Sequence, residues 1–246
     1  MLAVLLLASA SAHGSVFARL RGGKAAYKLT YFDARGVAEL SRIALVAAGV
    51  DFEDARFPIS MEGGKPSVPE FTAAKASGAL TVNMDRVPIL EIPGGPTIGQ
   101  SRTIERFVAR RHALYGADEM EAALVDMVVE HSRDIKEAFG RAVPPFGPES
   151  EEKAAKRDAW YAEALGDWLQ RLERALPPSD NDAYAVGAVL SLADLAIWQL
   201  LRDTFSDAER ARKAAASCTR LNAIADQVAA MPAVAGWLAN RPQTMM

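Results

Sequence analysis

The chain has 246 residues, half of them hydrophobic, with 28 Lys and Arg against 31 Asp and Glu and a net charge of −3. That length can bury a large core in one or two domains, and the mild acidity without a Lys/Arg block excludes nucleic acid as an expected partner. A single cysteine, Cys218, excludes an internal disulfide, a CxxC redox pair and a cysteine-held zinc or iron–sulfur site.

The opening "MLAVLLLASASAHG" couples a short apolar run to small-x-small sites, a signal-like pattern too short to span a bilayer, so no stable membrane insertion is expected. From His13 to Phe32 the chain carries Arg19, Arg21, Lys24 and Lys28 but no acid, as a transit segment does. Residues 1–25 are therefore set apart as a leader; secretory export, organelle import and a cytoplasmic protein with an N-terminal extension all stay open.

"YKLTYF" alternates Tyr27, Leu29 and Tyr31, which predicts a strand. "VAELSRIALVAAG" predicts a helix with Val37, Leu40, Ala44 and Ala47 on its inner face and a stop at Gly49. "DFEDARF" is β-prone, Pro58, Gly63, Gly64, Pro66 and Pro69 break regular structure, and a weak helix follows near Glu70–Ala76. "RVPILEI" and "TIG" predict two strands joined by "PGGP", and "SRTIERFVARR" a helix with Ile104, Phe107 and Val108 inward. The order βαβαββα predicts a thioredoxin-like α/β domain over 26–110. From 118 to 246 only helical patterns occur, broken at "VPPFGP", "PPSDND" and Pro232. Within them "LSLADL" marks a helix start, with Ser191 and Asp194 as a capping box and not as a catalytic pair.

The first domain has no cysteine after its first strand; Tyr31 stands there instead. Taken alone, Tyr31 is a packed strand end or a placed hydroxyl. Pro88 at the entry to the third strand suits a cis Val87–Pro88 bond that frees the Val87 backbone for an extended peptide. Gln100 and Ser101 open a helix whose free amides suit a carboxylate, or simply cap it. His131, Asp134 and Glu130 lack a further well-placed ligand, so no metal is expected, and His13 and His112 support no Ser/His/Asp triad. Cys218, Met120, Met127, Phe139, Trp160, Tyr161, Trp168 and Trp198 are expected in the helical core, with the Met127 helix also walling an apolar second-substrate pocket.

Together "YKLTYFDARG", "VPILEI", "GQSRTIERFVAR", "SLAD" and "MPAVAGWLANRPQT" resemble the glutathione transferases, in particular the sigma-like class with prostaglandin D synthases and S-crystallins. The resemblance implies a thioredoxin-like domain followed by an all-α domain, glutathione as co-substrate, a small apolar electrophile as second substrate, and a homodimer, cytoplasmic as family members are. It implies Tyr31 as the catalytic hydroxyl, Val87 and cis Pro88 on the glutathione backbone, Gln100 and Ser101 on its γ-glutamyl end, and Asp126 reaching the same end from the partner subunit. Phe32 and Arg86 line the groove. The family's second first-turn arginine is Val37 here, Arg35 is expected to cap or brace the first helix, and the family's loop tryptophan and lysine have no clear match, Lys75 being a substitute at most. Lowering an ordinary thiol pKa by about two units requires about 2.7 kcal/mol. One hydroxyl donated to the sulfur gives about 1.5–3 kcal/mol, and the nearby helix start roughly 0.3–1 kcal/mol. The expected activity is conjugation, as in detoxification; a glutathione-dependent prostanoid isomerase or peroxidase and a non-enzymatic S-crystallin-like protein are the alternatives.

Overall fold

The structure, a computed structural model, describes residues 27–63, 65–144, 147–179 and 182–244. The leader and Gly64 lie outside the described residues, as do 145–146 and 180–181 of the two loop signals. Strand β1 (Tyr27–Phe32) runs parallel to β2 (Phe52–Phe57) and antiparallel to β5 (Ile89–Glu91), which pairs with β6 (Ile98–Gly99) in a sheet of order β2-β1-β5-β6. Leu29 and Leu90 face each other in register and are fully buried, as expected of a sheet covered on both sides. Helices α1 (Glu39–Ala47), α2 (Pro69–Ala76) and α3 (Ser101–Arg111) complete a thioredoxin-like domain. Gly49 ends the α1 region at φ +65°, a left-handed position suited to glycine.

Two details depart from the sequence reading. A small hairpin, β3 (Ser60–Glu62) with β4 (Lys65–Ser67), occupies the stretch expected to be irregular. Its β3 residues are all exposed, so no alternation of apolar side chains announces it. Val37 is 55% exposed and belongs to a 3₁₀ turn, Gly36–Ala38, ahead of α1. The buried part of α1 is the whole run Glu39–Leu45, Ser41 and Arg42 included, because the helix packs on α3 within its own domain and on the helical domain as well.

The second domain is all-helical: α4 (Glu119–Ala142), α5 (Glu151–Ala159) continued through a π turn (Trp160–Ala164) into α6 (Leu165–Ala175), α7 (Leu192–Arg202), α8 (Ala208–Ala214), α9 (Thr219–Ala230) and α10 (Pro232–Asn240). Helix α7 is buried at every position from Leu192 to Leu201 and packs against α4 and α9. The carboxylate of Asp194 fixes its start, accepting from Ser191 N (2.7 Å), Ser191 Oγ (2.8 Å) and Ala185 N (2.6 Å). Phe139, Trp160, Tyr161 and Phe205 form an aromatic cluster, and Cys218 and Trp198 are buried. Met120 is not core: at the exposed start of α4 it is 68% accessible. Among the described residues no helix is long and apolar enough to cross a membrane.

Candidate active site

Because β5 runs antiparallel to β1 and β6, the end of β1, the start of β5 and the end of β6 share one edge of the sheet. Thr30 pairs with Ile89 and Ile89 with Gly99, so the topology gathers Tyr31, Val87–Pro88 and Gln100–Ser101 there. The Tyr31 ring is half-buried, edge-on to Phe32 with centroids 5.5 Å apart, and the Arg42 guanidinium carbon lies 5.8 Å from its centroid. Its oxygen sits over Gly36, where a Cβ would come within 2.6 Å of it. Gly36 also takes φ +42°, so both conformation and space favour glycine. Among the described residues the Tyr31 hydroxyl has no hydrogen-bond partner, which leaves its proton available to a ligand.

The Val87–Pro88 bond is cis. Asn83, 4% exposed, braces that turn: its Nδ2 donates to Pro88 O (3.0 Å) and Arg86 O (3.1 Å). The same side chain packs so closely on Gly99 that a Cβ there would lie 2.5 Å from it. Val87 is half-buried, and Arg86 is exposed with its guanidinium 3.6 Å from Met84 Sδ. Gln100 caps α3 at φ +71°, a conformation that non-glycine residues hold only when the surroundings demand it. Phe32 packs tilted against Phe71 of α2 with centroids 4.9 Å apart, and the Lys75 ammonium lies 5.7 Å from the Phe71 centroid.

Asp126 and Arg35 each enter an ion pair. Asp126 is held in its own chain by Arg106 Nε at 2.7 Å, next to Glu130, which takes the Arg106 NH2 at 2.5 Å. Arg35 does not brace α1; its NH1 donates to Asp203 Oδ1 of the helical domain at 2.8 Å. The α1 turn is braced instead by the fully buried Arg42, which donates to Ala34 O (2.8 Å), Arg35 O (3.3 Å), Glu39 (3.2 Å) and Asp54 (2.8 Å). Arg35 and Arg42 belong to one seam of four arginines and four carboxylates in alternation, Asp33–Arg56–Asp54–Arg42–Glu39–Arg241–Asp203–Arg35, which joins the two domains. Regular α1 therefore begins at a buried acid, and the positive end of its dipole is met by Glu39 before it can act on a sulfur.

A cleft of about 190 Å³ opens between the domains, lined by Gly36, Leu40, Ser101, Val129, Lys136 and Gln199 with their neighbours. The wall contributed by the Met127 helix is mixed, with Val129 beside polar and charged residues. Helix α4 turns Val125, Val128 and Ile135 into the core, and Val129, Ser132, Arg133, Lys136 and Glu137 line the cleft. Burial pushes the Glu105 carboxyl up although Arg133 beside it pulls down, and burial lowers the Lys136 ammonium to about 8. Among the described residues no cluster of three His, Cys, Asp or Glu side chains could hold a metal.

Sequence reasoning missed Gly36, Asn83, Phe71 and Lys136. Only Gly36 left a local trace, as a glycine directly ahead of a helical pattern; the others depend on partners brought in by the fold.

Residues 27–110 match the family description "Glutathione S-transferase, N-terminal domain" and residues 133–241 match "Glutathione S-transferase, C-terminal domain". The chain is 31% identical over 226 residues to the hematopoietic prostaglandin D synthase of Gallus gallus, covering 89% of this chain and 98% of that one. It is 32% identical over 224 residues to glutathione S-transferase 3 of Caenorhabditis elegans, with the same coverages. Among solved structures it resembles the monomeric Na-GST-3, a glutathione S-transferase of the hookworm Necator americanus, with TM-score 0.73, 27% identity and coverage of 89% of this chain and 99% of that chain. A thioredoxin-like domain joined to an all-helical one, with both family descriptions matched in order along the chain, makes this protein a member of the glutathione S-transferase family and a glutathione transferase enzyme.

Proposed function

We propose that glutathione lies along the sheet edge with its sulfur at the Tyr31 hydroxyl, its backbone on Val87 beside cis Pro88, and its γ-glutamyl end at Gln100 and Ser101. Phe32 and Arg86 flank the tripeptide. The observation that carries this reading is the Tyr31 oxygen, half-exposed over Gly36 and unpartnered among the described residues. A phenol O–H donated to a thiolate contributes about 1.5–3 kcal/mol, most of the roughly 2.7 kcal/mol that a two-unit fall in thiol pKa requires. The sulfur then attacks an electrophile held in the adjoining cleft, where proximity supplies much of the rate.

Tyr31→Phe tests the assignment. Conjugation to an aromatic halide falls by roughly 10–150-fold, while retention on immobilised glutathione and the unfolding midpoint stay as in the native chain. Equal activity in the variant removes Tyr31 from the mechanism. Retention without turnover in the native chain supports a binding protein in place of an enzyme. The avian prostaglandin D synthase relative favours glutathione-dependent isomerisation as the second reading, tested by product analysis with a prostanoid endoperoxide.

A homodimer follows from the family resemblance, whereas the hookworm neighbour is monomeric; sedimentation equilibrium decides for this chain. For Asp126 to reach the partner's glutathione it has to leave or share Arg106, so Asp126→Asn weakens glutathione retention in a dimer and leaves it unaltered if the Arg106 pair is its whole role.

A further inference from the structure

The charged groups around the interdomain cleft are unevenly paired. Glu105, 2% exposed, is met by Arg133, and Arg102 faces Glu130 at 3.2 Å and Glu137 at 2.8 Å, so each of these carboxylates has a guanidinium. Lys136 has none of them. Its Nζ donates to Gln199 Oε1, a neutral amide, and among the described residues that is its only hydrogen-bond partner. A half-buried ammonium set against a neutral acceptor is stabilised by an arriving anion. Its lowered pKa has the same origin: burial outweighs the attraction of Glu105 and Asp203, and Arg133 adds repulsion. The cleft that Lys136 lines also includes Gly36, over which the Tyr31 oxygen sits. Its volume, about 190 Å³, is below the roughly 300–1,000 Å³ of pockets for drug-sized ligands, which favours a compact molecule over a long acyl chain.

We propose that Lys136 selects the second substrate, and that this substrate is a small electrophile carrying a carboxylate, anchored by its anion at the Lys136 ammonium with its reactive carbon turned toward Tyr31. The inference rests on the reading of Tyr31 given above and adds an anionic group to the electrophile expected from the sequence.

The test uses the full chain with a matched pair of probes, para-chloro dinitrobenzoate and its uncharged methyl ester. In either, the glutathione sulfur forms a bond to the chlorinated carbon, chloride leaves with the C–Cl electron pair, and the thiol proton passes to solvent. At about pH 7 the native chain has the lower KM for the acid. Lys136→Met raises the ratio of acid KM to ester KM about tenfold, and Lys136→Arg restores most of it. In the native chain the same ratio climbs as pH rises through about 8, where the ammonium is lost; Glu105, Arg102, Arg133, Glu137 and Asp203 are the other charges around it. Taking a ratio removes the thiol's own titration, which both probes share. Calorimetry of nitrobenzoate against nitrobenzene, without glutathione, reads the same preference independently of turnover. An unchanged ratio in Lys136→Met, or a rise in the glutathione KM in place of the acid KM, overturns the proposal. Absent conjugation with acid-selective binding sinks the Tyr31 reading and supports the anion preference; normal conjugation with non-selective binding sinks the preference alone.

Discussion

The interdomain seam and the cleft beside Tyr31 are made of the same side-chain types, yet they differ in how fully those groups are matched. Along the seam every carboxylate from Asp54 to Asp203 lies between two arginines, and Glu39 also accepts from Trp237 Nε1 at 3.2 Å, while Arg42 Nη2 is buried without a hydrogen-bond partner among the described residues. In the cleft a phenol and an ammonium keep hydrogen-bonding capacity that the chain does not use. Matched ions hold a domain interface in one geometry, whereas unmatched ones mark where the molecule awaits something else. Net stabilisation by a buried pair is small, but removing one partner is costly; the two regions should therefore respond to mutation in different measurements.

Breaking the seam at its centre gives the largest effect. Glu39→Ala takes one of two carboxylates from each of Arg42 and Arg241 and the acceptor from Trp237 Nε1, and lowers the unfolding free energy by about 3 kcal/mol, read from the denaturant midpoint. Asp194→Ala sharpens the contrast with a carboxylate matched only by neutral donors, and the two buried amides it orphans cost about 1–3 kcal/mol. Burial raises the Asp194 carboxyl from 3.8 to about 6. Between those values the folded chain holds a proton that the unfolded chain has released, so stability falls as pH rises through that window; the alanine variant loses this slope in denaturation at stepped pH. Gly36→Ala acts on the cleft. Its backbone strain costs about 1–2 kcal/mol, but its Cβ displaces the Tyr31 oxygen, so kcat for conjugation drops while the fold persists. Asp33→Ala, at the exposed end of the seam, shifts stability by about 0–1 kcal/mol and loses even that at high salt.

Fold class was readable because its signals are local: the alternation in "YKLTYF", the glycine after α1 and the Ser191–Asp194 cap each specify an element without distant help. The site was readable in part, since Tyr31, Pro88 and Gln100–Ser101 stand at element ends that one sheet topology brings to the same edge. Arg42 was not, because a charged residue in an amphipathic pattern suggests a solvated face. Here it is buried only because Asp54 and Glu39 meet it, Glu39 being held in turn by Arg241 from almost the far end of the sequence. Lys136 escaped for a related reason: helical spacing shows which face carries valines, and says nothing about where a neighbouring arginine has already been claimed.

The bond between Arg241 and Glu39 spans nearly the whole described chain. A ribosome delivers α1 long before it delivers Arg241 or Trp237, so a nascent thioredoxin-like half carries an acid at its centre whose final counter-charges have yet to be synthesised. Completion of the first domain is therefore tied to the last helix, and trimming a few residues from the C-terminal end would loosen the opposite end of the molecule first.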